Sequence, residues 1–138
     1  MLNSLQMALC DTQGQLFELA AEREYASETF IKAYMTSAVA TDMDKEFHHV
    51  QWAGKSYILS RMEDELADQL VKGGEIYDKE ALYWMGYIYR YWHFYTGENS
   101  REIYKQAPAK TMNVVYLMYH TMSPEMAIDR LKEACEHA

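Results

Sequence analysis

Arg90 and His93, in the run Arg90-Tyr91-Trp92-His93, are two side chains whose types and spacing could serve chemistry. A guanidinium stays charged at physiological pH and binds phosphate or carboxylate through two parallel contacts. An imidazole titrates near neutrality and can exchange a proton with a reacting group. The pair could therefore act on a phosphodiester or hold an acidic group of a partner. Alternatively, Arg90 pairs with an acidic residue of this same chain.

The same run resembles the arginine–histidine pair of helical ribonucleases of the HEPN group. Those motifs keep four to six residues between Arg and His, whereas this chain has Tyr91 and Trp92 between them. A helix turns side chains at that shorter spacing towards partly different directions. The resemblance implies RNA cleavage by Arg90 and His93 as one alternative function.

A metal site is not expected. Glu46-Phe47-His48-His49 has the E-x-x-H spacing of di-iron carboxylate bundles, but those sites need a second copy of it and further inward carboxylates. The sequence holds no second E-x-x-H, so Glu46 and His49 are expected to lie on the surface near a helix start. No nucleotide-binding loop, nucleophile elbow or zinc-protease motif occurs either. We therefore expect no catalytic residues, no metal and no cofactor, and a protein that is not an enzyme.

The two cysteines, Cys10 and Cys135, form no CxxC pair and have no basic neighbour that would mark a nucleophile. Their number excludes a disulfide framework or a structural zinc site, although one bridge between them stays possible. The first residues, Met1 to Leu9, carry no Lys or Arg and so lack the basic start of a secretory signal. The sequence predicts a reduced, cytoplasmic protein.

Charge and composition limit the partners. The net charge is −8, and residues 1 to 70 carry 12 acidic against 5 basic residues. Nucleic-acid binders concentrate positive charge, so binding of nucleic acid is not expected. The longest apolar run, 81–89, is too short to span a bilayer. An acidic chain with 12 Tyr and 10 Met is better suited to a basic partner protein or to self-association, because Tyr and Met anchor interfaces.

The hydrophobic pattern predicts one all-α domain over residues 1–138, a bundle of about six to seven helices. Ile58, Met62, Leu66 and Leu70 repeat every four residues, which predicts one helix that Gly73-Gly74 ends. Thr41 to Asp44 are expected to cap a helix that continues through Trp52. Ser123-Pro124-Glu125 predicts the start of the last helix.

Residues 79–96 are expected to form a central aromatic helix. One arc of it is apolar and predicted to face the core. Gly86, which costs about 1 kcal/mol of helix propensity, indicates that a neighbouring helix or a partner approaches the backbone there. The opposite arc is the candidate partner-binding face: Lys79, Tyr83, Gly86, Arg90 and His93. A second candidate face is the acidic one of Glu63, Asp64, Glu65 and Asp68.

Residues 100–106 and the helix that follows Pro108 have an alternative interpretation as a helix-turn-helix motif. Arg101, Lys105 and Lys110 would contact phosphates. The second helix holds Met112, Val114, Val115, Tyr116, Leu117 and Met118, which we expect to be buried and which lack the polar side chains of base readout. A transcriptional regulator is therefore the second function considered.

Four segments together carry a resemblance: Gln51-Trp52-Ala53-Gly54, the run from Gly86 to Glu98, Ile103-Tyr104-Lys105, and His120 to Ile128. They resemble a set of small, uncharacterised all-helical bacterial proteins found near toxin-like genes, including ADP-ribosyltransferase-like ones. The resemblance implies a bacterial cytoplasmic setting and an antitoxin-like role, and it carries no site residue. The function expected first is a non-enzymatic interaction module, an antitoxin or accessory protein that binds a partner protein such as a toxin.

Overall fold

The computed structural model describes residues 2–137, which form eight α-helices, two 3-10 helices and no strand. The all-helical prediction is confirmed, with eight helices in this range where six to seven were expected. None of these helices is both long and apolar enough to cross a bilayer. The α-helices are α1 (Ser4–Glu22), α2 (Ser27–Met35), α3 (Ala38–Asp44), α4 (Lys55–Glu65), α5 (Lys79–Thr96), α6 (Ser100–Gln106), α7 (Ala109–Tyr119) and α8 (Pro124–Glu136). The 3-10 helices are His49–Trp52 and Ala67–Gln69.

Side-chain caps define several helix starts. The Asn99 side chain accepts a hydrogen bond from the Glu102 amide at 2.9 Å, and the Glu102 carboxylate accepts one from the Asn99 amide at 3.0 Å. This reciprocal pair satisfies two amides that a helix start leaves without partners. Ser123 caps α8 in the predicted way, since its hydroxyl accepts from the Met126 amide at 3.2 Å. At the end of α5, Gly97 adopts a φ of 81°, which glycine tolerates and most residues do not.

Helix α5 packs against α1, α6, α7 and α8, and against α1 most extensively. The two run antiparallel, since Glu22 of α1 meets Lys79 of α5, and Gln13 bonds to Gly86 further along. Their backbones come close together at Gly14 and Gly86, where a Cβ on Gly86 would lie 2.5 Å from the Gln13 carbonyl oxygen. The close approach predicted at Gly86 is therefore confirmed, and the neighbour is a helix of the same chain.

Two predicted boundaries are wrong. Helix α4 ends at Glu65, so Ile58 and Met62 are buried on it while Leu66 and Leu70, beyond its end, are only partly buried. The segment Thr41 to Asp44 ends a helix rather than opening one, because α3 is capped by the Ser37 hydroxyl at its start. Residues 45–48 are irregular, which separates Glu46 and His49 from any shared helical face.

Helix α7 differs from its prediction in burial. Met112 is buried as expected, but Val114, Leu117 and Met118 are exposed by 74%, 78% and 63%. The apolar residues of α7 occupy more of its circumference than the neighbouring α5 and α2 cover. An apolar run on a short helix reads as buried in a sequence even when one side of it lies open.

Replacing Gly86 with Ala tests the α1–α5 contact. By helix propensity alone the change would stabilise α5 by about 1 kcal/mol. Because the new methyl group would meet backbone atoms of Gln13 and Gly14, we expect instead a loss of roughly 2–3 kcal/mol in the free energy of unfolding, measured by urea denaturation.

Gly97→Ala is the matched control, since a Cβ there meets no atom within 4 Å and only the positive φ is strained. It should lose about 1 kcal/mol. Equal losses for the two variants would contradict the close approach.

Candidate functional site: a cleft beside a buried arginine

Arg90 is inside the protein, with 1% of its surface exposed. Its Nε and one terminal nitrogen donate to the Oε1 atom of Gln13 at 3.0 and 2.9 Å, and its other terminal nitrogen pairs with Asp44 Oδ1 at 2.6 Å. Burial acts to lower the pKa of Arg90, but Tyr34 and Asp44 raise it, so the guanidinium stays charged. In the structure Arg90 therefore pairs with an acidic residue of its own chain, which is the alternative that the sequence leaves open.

Gln13 organises the acceptors around this charge. Its Oε1 atom also accepts from the Tyr34 hydroxyl at 2.7 Å, and its amide nitrogen donates to the Gly86 carbonyl at 2.8 Å. Every polar atom of this buried side chain is therefore satisfied, and its orientation is set by three donors on one side and an acceptor on the other. The arrangement joins α1, α2 and α5.

Asp44, the last residue of α3, connects the same charge to α6. Its Oδ1 accepts from the Ser100 hydroxyl and its Oδ2 from the Ser100 amide, both at 2.8 Å. Ser100 is the first residue of α6, so the carboxylate also lies at the positive end of that short helix. Five helices thus meet in one hydrogen-bonded network of Gln13, Tyr34, Asp44, Arg90 and Ser100.

The candidate face predicted on α5 is divided by the fold. Gly86 and Arg90 are buried, so no partner can reach them in this structure. Lys79 is exposed beside Glu22, at 3.4 Å, and the half-buried Tyr83 donates its hydroxyl to Asp11 at 2.5 Å. His93 is partly exposed beside the network.

On the acidic face, Asp64 and Asp68 are exposed, as is Glu65, which pairs with Arg61 at 2.5 Å. Glu63 is partly buried and accepts the Tyr25 hydroxyl at 2.6 Å. Asp64 and Asp68 form none of the ion pairs within residues 2–137. On this face the carboxylates of Asp64 and Asp68 are therefore outside the ion pairs of residues 2–137, whereas those of Glu63 and Glu65 are bonded to other side chains.

His93 lies between the buried network and the surface. Its Nδ1 atom is 2.7 Å from the Glu98 carbonyl oxygen, which can only accept, so Nδ1 carries the proton of that bond. The Asp44 Oδ1 atom is 3.8 Å from the same nitrogen. In the neutral ring the other nitrogen, Nε2, is then a hydrogen-bond acceptor.

His93 lines a cleft of about 700 Å³ between the start of α1, residues 44–52 and the end of α5. Its polar lining includes Asp44, Lys45, Glu46 and Gln51. Its apolar lining is Leu5, Leu9, Phe47, Trp52 and Phe94. Three of these side chains are largely exposed: Phe47 by 84%, Leu5 by 63% and Trp52 by 56%. Several large apolar groups at one concave place are a feature of binding sites rather than of ordinary surface.

The sequence does not single out Phe47 and Trp52 as residues of the cleft, because its pattern there predicts one helix. The spacing of Phe47, Val50 and Trp52 does not fit a helical period, and that irregularity was the available signal. In the structure Val50 is buried while the two aromatic residues on either side of it are exposed.

Glu98 joins the segment next to His93 to two other helices through its carboxylate. Its carboxylate accepts from Trp92 Nε1 at 2.9 Å, from the Lys132 ammonium at 2.7 Å and from the Gln106 amide at 2.6 Å. Partial burial acts to raise the pKa of Glu98, but these bonds outweigh it and lower the pKa to about 2. The residue therefore joins the end of α5 to α6 and α8 as a carboxylate.

The surroundings of the cysteine thiols and of the side chains that ligate metals limit two further kinds of chemistry. Burial raises the pKa of Cys10 to about 12, so this thiol is protonated at neutral pH and is a poor nucleophile. Cys10 and Cys135 are both free, the first buried and the second exposed. Within residues 2–137, no three His, Cys, Asp or Glu side chains come together as metal ligands would.

Arg90→Met tests the buried network. The substitution keeps much of the side-chain length but leaves the Asp44 carboxylate without its cation, so we expect a loss of roughly 3–5 kcal/mol in the free energy of unfolding. Arg61→Met is the control, because Arg61 pairs with Asp42 and Glu65 at a partly exposed site and should lose about 1 kcal/mol or less. Similar losses for the two variants in urea denaturation would show that the buried network contributes no more to stability than a partly exposed ion pair does.

Glu98→Gln tests whether the Glu98 carboxylate makes the free energy of unfolding depend on pH. Because the folded-state pKa of Glu98 lies below its usual 4.5, the carboxylate stabilises the fold above that value, and this stability is lost as pH falls towards 2. The variant should be about 2 kcal/mol less stable than wild type at pH 7, with the difference vanishing near pH 2. Glu133→Gln, at an exposed position on α8, should show no such pH-dependent difference.

No protein-family model, curated protein or solved structure matches this chain. The features of the chain itself that bear on function are a charged, hydrogen-bonded interior and, beside it, a cleft lined by both apolar and polar side chains, Asp44 and His93 among them.

Proposed function

We propose that this chain is a protein-interaction module whose partner inserts an apolar side chain into the cleft beside His93. The observation that carries the proposal is the exposure of Phe47, Trp52 and Leu5 around one cavity of about 700 Å³. Aromatic anchors around a concave site dominate the energetics of many interfaces, because they bury large apolar areas on binding.

The charges near the cleft favour a basic partner. Asp44 is neutralised by Arg90 and Lys45 pairs with Asp42, whereas Glu46 forms none of the ion pairs within residues 2–137. The whole chain carries a net charge of −8, most of it in its first half. A partner that presents an apolar residue flanked by Lys or Arg would meet complementary charge on approach.

An antitoxin or accessory protein of the bacterial cytoplasm is the form of this module that we propose, and its support is the resemblance to small helical proteins near toxin-like genes. In this proposal α5 is the central element, since its buried middle holds Arg90 while its end presents His93 and Phe94 to the cleft. Self-association is the other form that the partner could take.

The two alternative functions find less support in the geometry. A regulator would need polar side chains on the open side of α7, where Val114, Leu117 and Met118 lie. A nuclease built on Arg90 and His93 would need a guanidinium free to bind phosphate, and that of Arg90 is bonded to Gln13 and Asp44.

The double variant Phe47→Ala, Trp52→Ala tests the cleft. Both side chains are largely exposed, so the fold should remain helical by circular dichroism. Tagged wild-type protein should capture one stoichiometric partner from its host, and the affinity for that purified partner should fall by about 10- to 100-fold in the variant. If the partner inhibits growth, co-expression of the wild type should restore it and co-expression of the variant should not.

Leu117→Ala is the matched control, because Leu117 is similarly exposed but does not line the cleft. It should bind the partner like wild type. Equal binding by the double variant would overturn the assignment to the cleft. A wild-type protein that captures no partner and does not associate with itself would overturn the interaction-module proposal.

A further inference from the structure

A second concave site, of about 370 Å³, lies between the first half of α5 and the end of α7, and it shares no residue with the cleft beside His93. Aromatic rings form most of its wall. The residues that matter here are Glu80, Tyr83, Trp84, Tyr87, Tyr116 and His120.

The rings are held in place by one another. Trp84 meets Tyr116 edge to face at 5.7 Å between ring centroids, and Tyr116 stacks on His120 at 4.6 Å. Tyr83 and Tyr87, one turn apart on α5, lie 6.0 Å apart. All four Tyr and Trp side chains are partly buried, so packing fixes each ring while part of its surface stays open. The faces of such rings are electron-rich and attract cations.

One ring receives additional electron density. The Tyr83 hydroxyl donates a hydrogen bond to the Asp11 carboxylate at 2.5 Å. Burial and this bond raise the pKa of Tyr83, so the hydroxyl keeps its proton and the bond persists at neutral pH. A phenol that donates to a carboxylate becomes more electron-rich, which strengthens its attraction for a cation over the ring.

The charged groups around the pocket also favour a cation over an anion. Glu80 lines it, is exposed and forms none of the ion pairs within residues 2–137. No Lys or Arg is among its lining residues, as far as residues 2–137 are concerned. The His120 Nδ1 atom is 2.9 Å from the Tyr116 carbonyl, so in the neutral ring Nε2 is an acceptor too.

We propose that this pocket binds an organic cation of the alkylammonium class, held among the rings of Tyr83, Trp84, Tyr87 and Tyr116 with Glu80 as the counter-charge. Aromatic walls suit a cation whose charge is spread over methyl groups, because such a cation loses little hydration on entering. The same chemistry is offered by a free quaternary ammonium and by a methylated lysine side chain of a peptide.

The test compares choline with 3,3-dimethylbutan-1-ol, a neutral molecule of the same shape in which carbon replaces the nitrogen. Binding is followed by NMR, through the indole signal of Trp84 and the ring signals of Tyr116. Choline should bind about tenfold more tightly than the neutral molecule. Equal binding would show an apolar pocket without preference for charge, and absence of saturable choline binding would also overturn the proposal.

Variants locate the site. Tyr116→Leu should weaken choline binding by about tenfold, and Glu80→Gln should weaken it by a smaller factor. Asp11→Asn leaves every wall residue in place, so it should weaken choline binding several-fold while leaving binding of the neutral molecule unchanged. Tyr57→Leu, an exposed tyrosine on α4 outside the pocket, is the control and should bind like wild type. Unchanged choline binding in Tyr116→Leu and Glu80→Gln would overturn the assignment.

Two further titrations distinguish the sources of the cation. A short neutral peptide that contains trimethyllysine is compared with its unmethylated counterpart and with choline. Tighter binding of the methylated peptide would assign the pocket to a modified protein, and tighter binding of choline would assign it to a small molecule. Because the cleft beside His93 shares no residue with this pocket, Phe47→Ala, Trp52→Ala should leave choline binding unchanged.

Discussion

Burying the guanidinium of Arg90 removes a full charge from water, at a cost of several kcal/mol unless acceptors surround it. Gln13 and Asp44 supply those acceptors, and each is held by another helix, since Tyr34 bonds to Gln13 and Ser100 to Asp44. A displacement of α1, α2, α3 or α6 relative to α5 would therefore leave a polar group unsatisfied. Hydrogen bonds depend on direction as well as distance, so the network favours one arrangement of these helices. It sets the register in which the rest of the bundle packs.

Tyrosine has a related role nearer the surface. The chain has 21 acidic and 13 basic residues, so ion pairs alone cannot neutralise the carboxylates. Tyrosine hydroxyls take up several of them: Tyr25 donates to Glu63, Tyr83 to Asp11, Tyr91 to Glu125 and Tyr95 to Asp129. Each pair also raises the pKa of its phenol, which keeps the donor protonated. The high tyrosine content thus accompanies an acidic chain whose carboxylates are bound by rings that also pack.

Local signals predicted the features that depend on neighbouring residues. The extent of α5 follows from its periodicity and from Gly97, the start of α8 from the Ser123 cap, and the close approach from Gly86 itself. The place of Arg90 could not be predicted in this way, because its acceptor Gln13 is 77 positions away and a lone arginine on a helix reads as exposed. The open face of α7 depends on whether other helices happen to cover it, which a one-dimensional pattern does not contain. The cleft was missed for the same reason, since its walls come from three separate parts of the chain.

The buried middle of α5 also determines where the two proposed sites lie. Between Met85 and Trp92 every residue of α5 except Tyr87 is buried, so the helix reaches concave surface mainly on either side of Arg90. Tyr83, Trp84 and Tyr87 line the pocket at one end, and His93 and Phe94 line the cleft at the other, about 15 Å along the helix axis from Tyr83 to His93. A helix anchored by Arg90 cannot slide or rotate without breaking the network. Both proposed sites therefore draw side chains from the same helix. At the pocket, Trp84, Tyr116 and His120 pack on one another before any ligand arrives, which would lower the entropic cost of binding there.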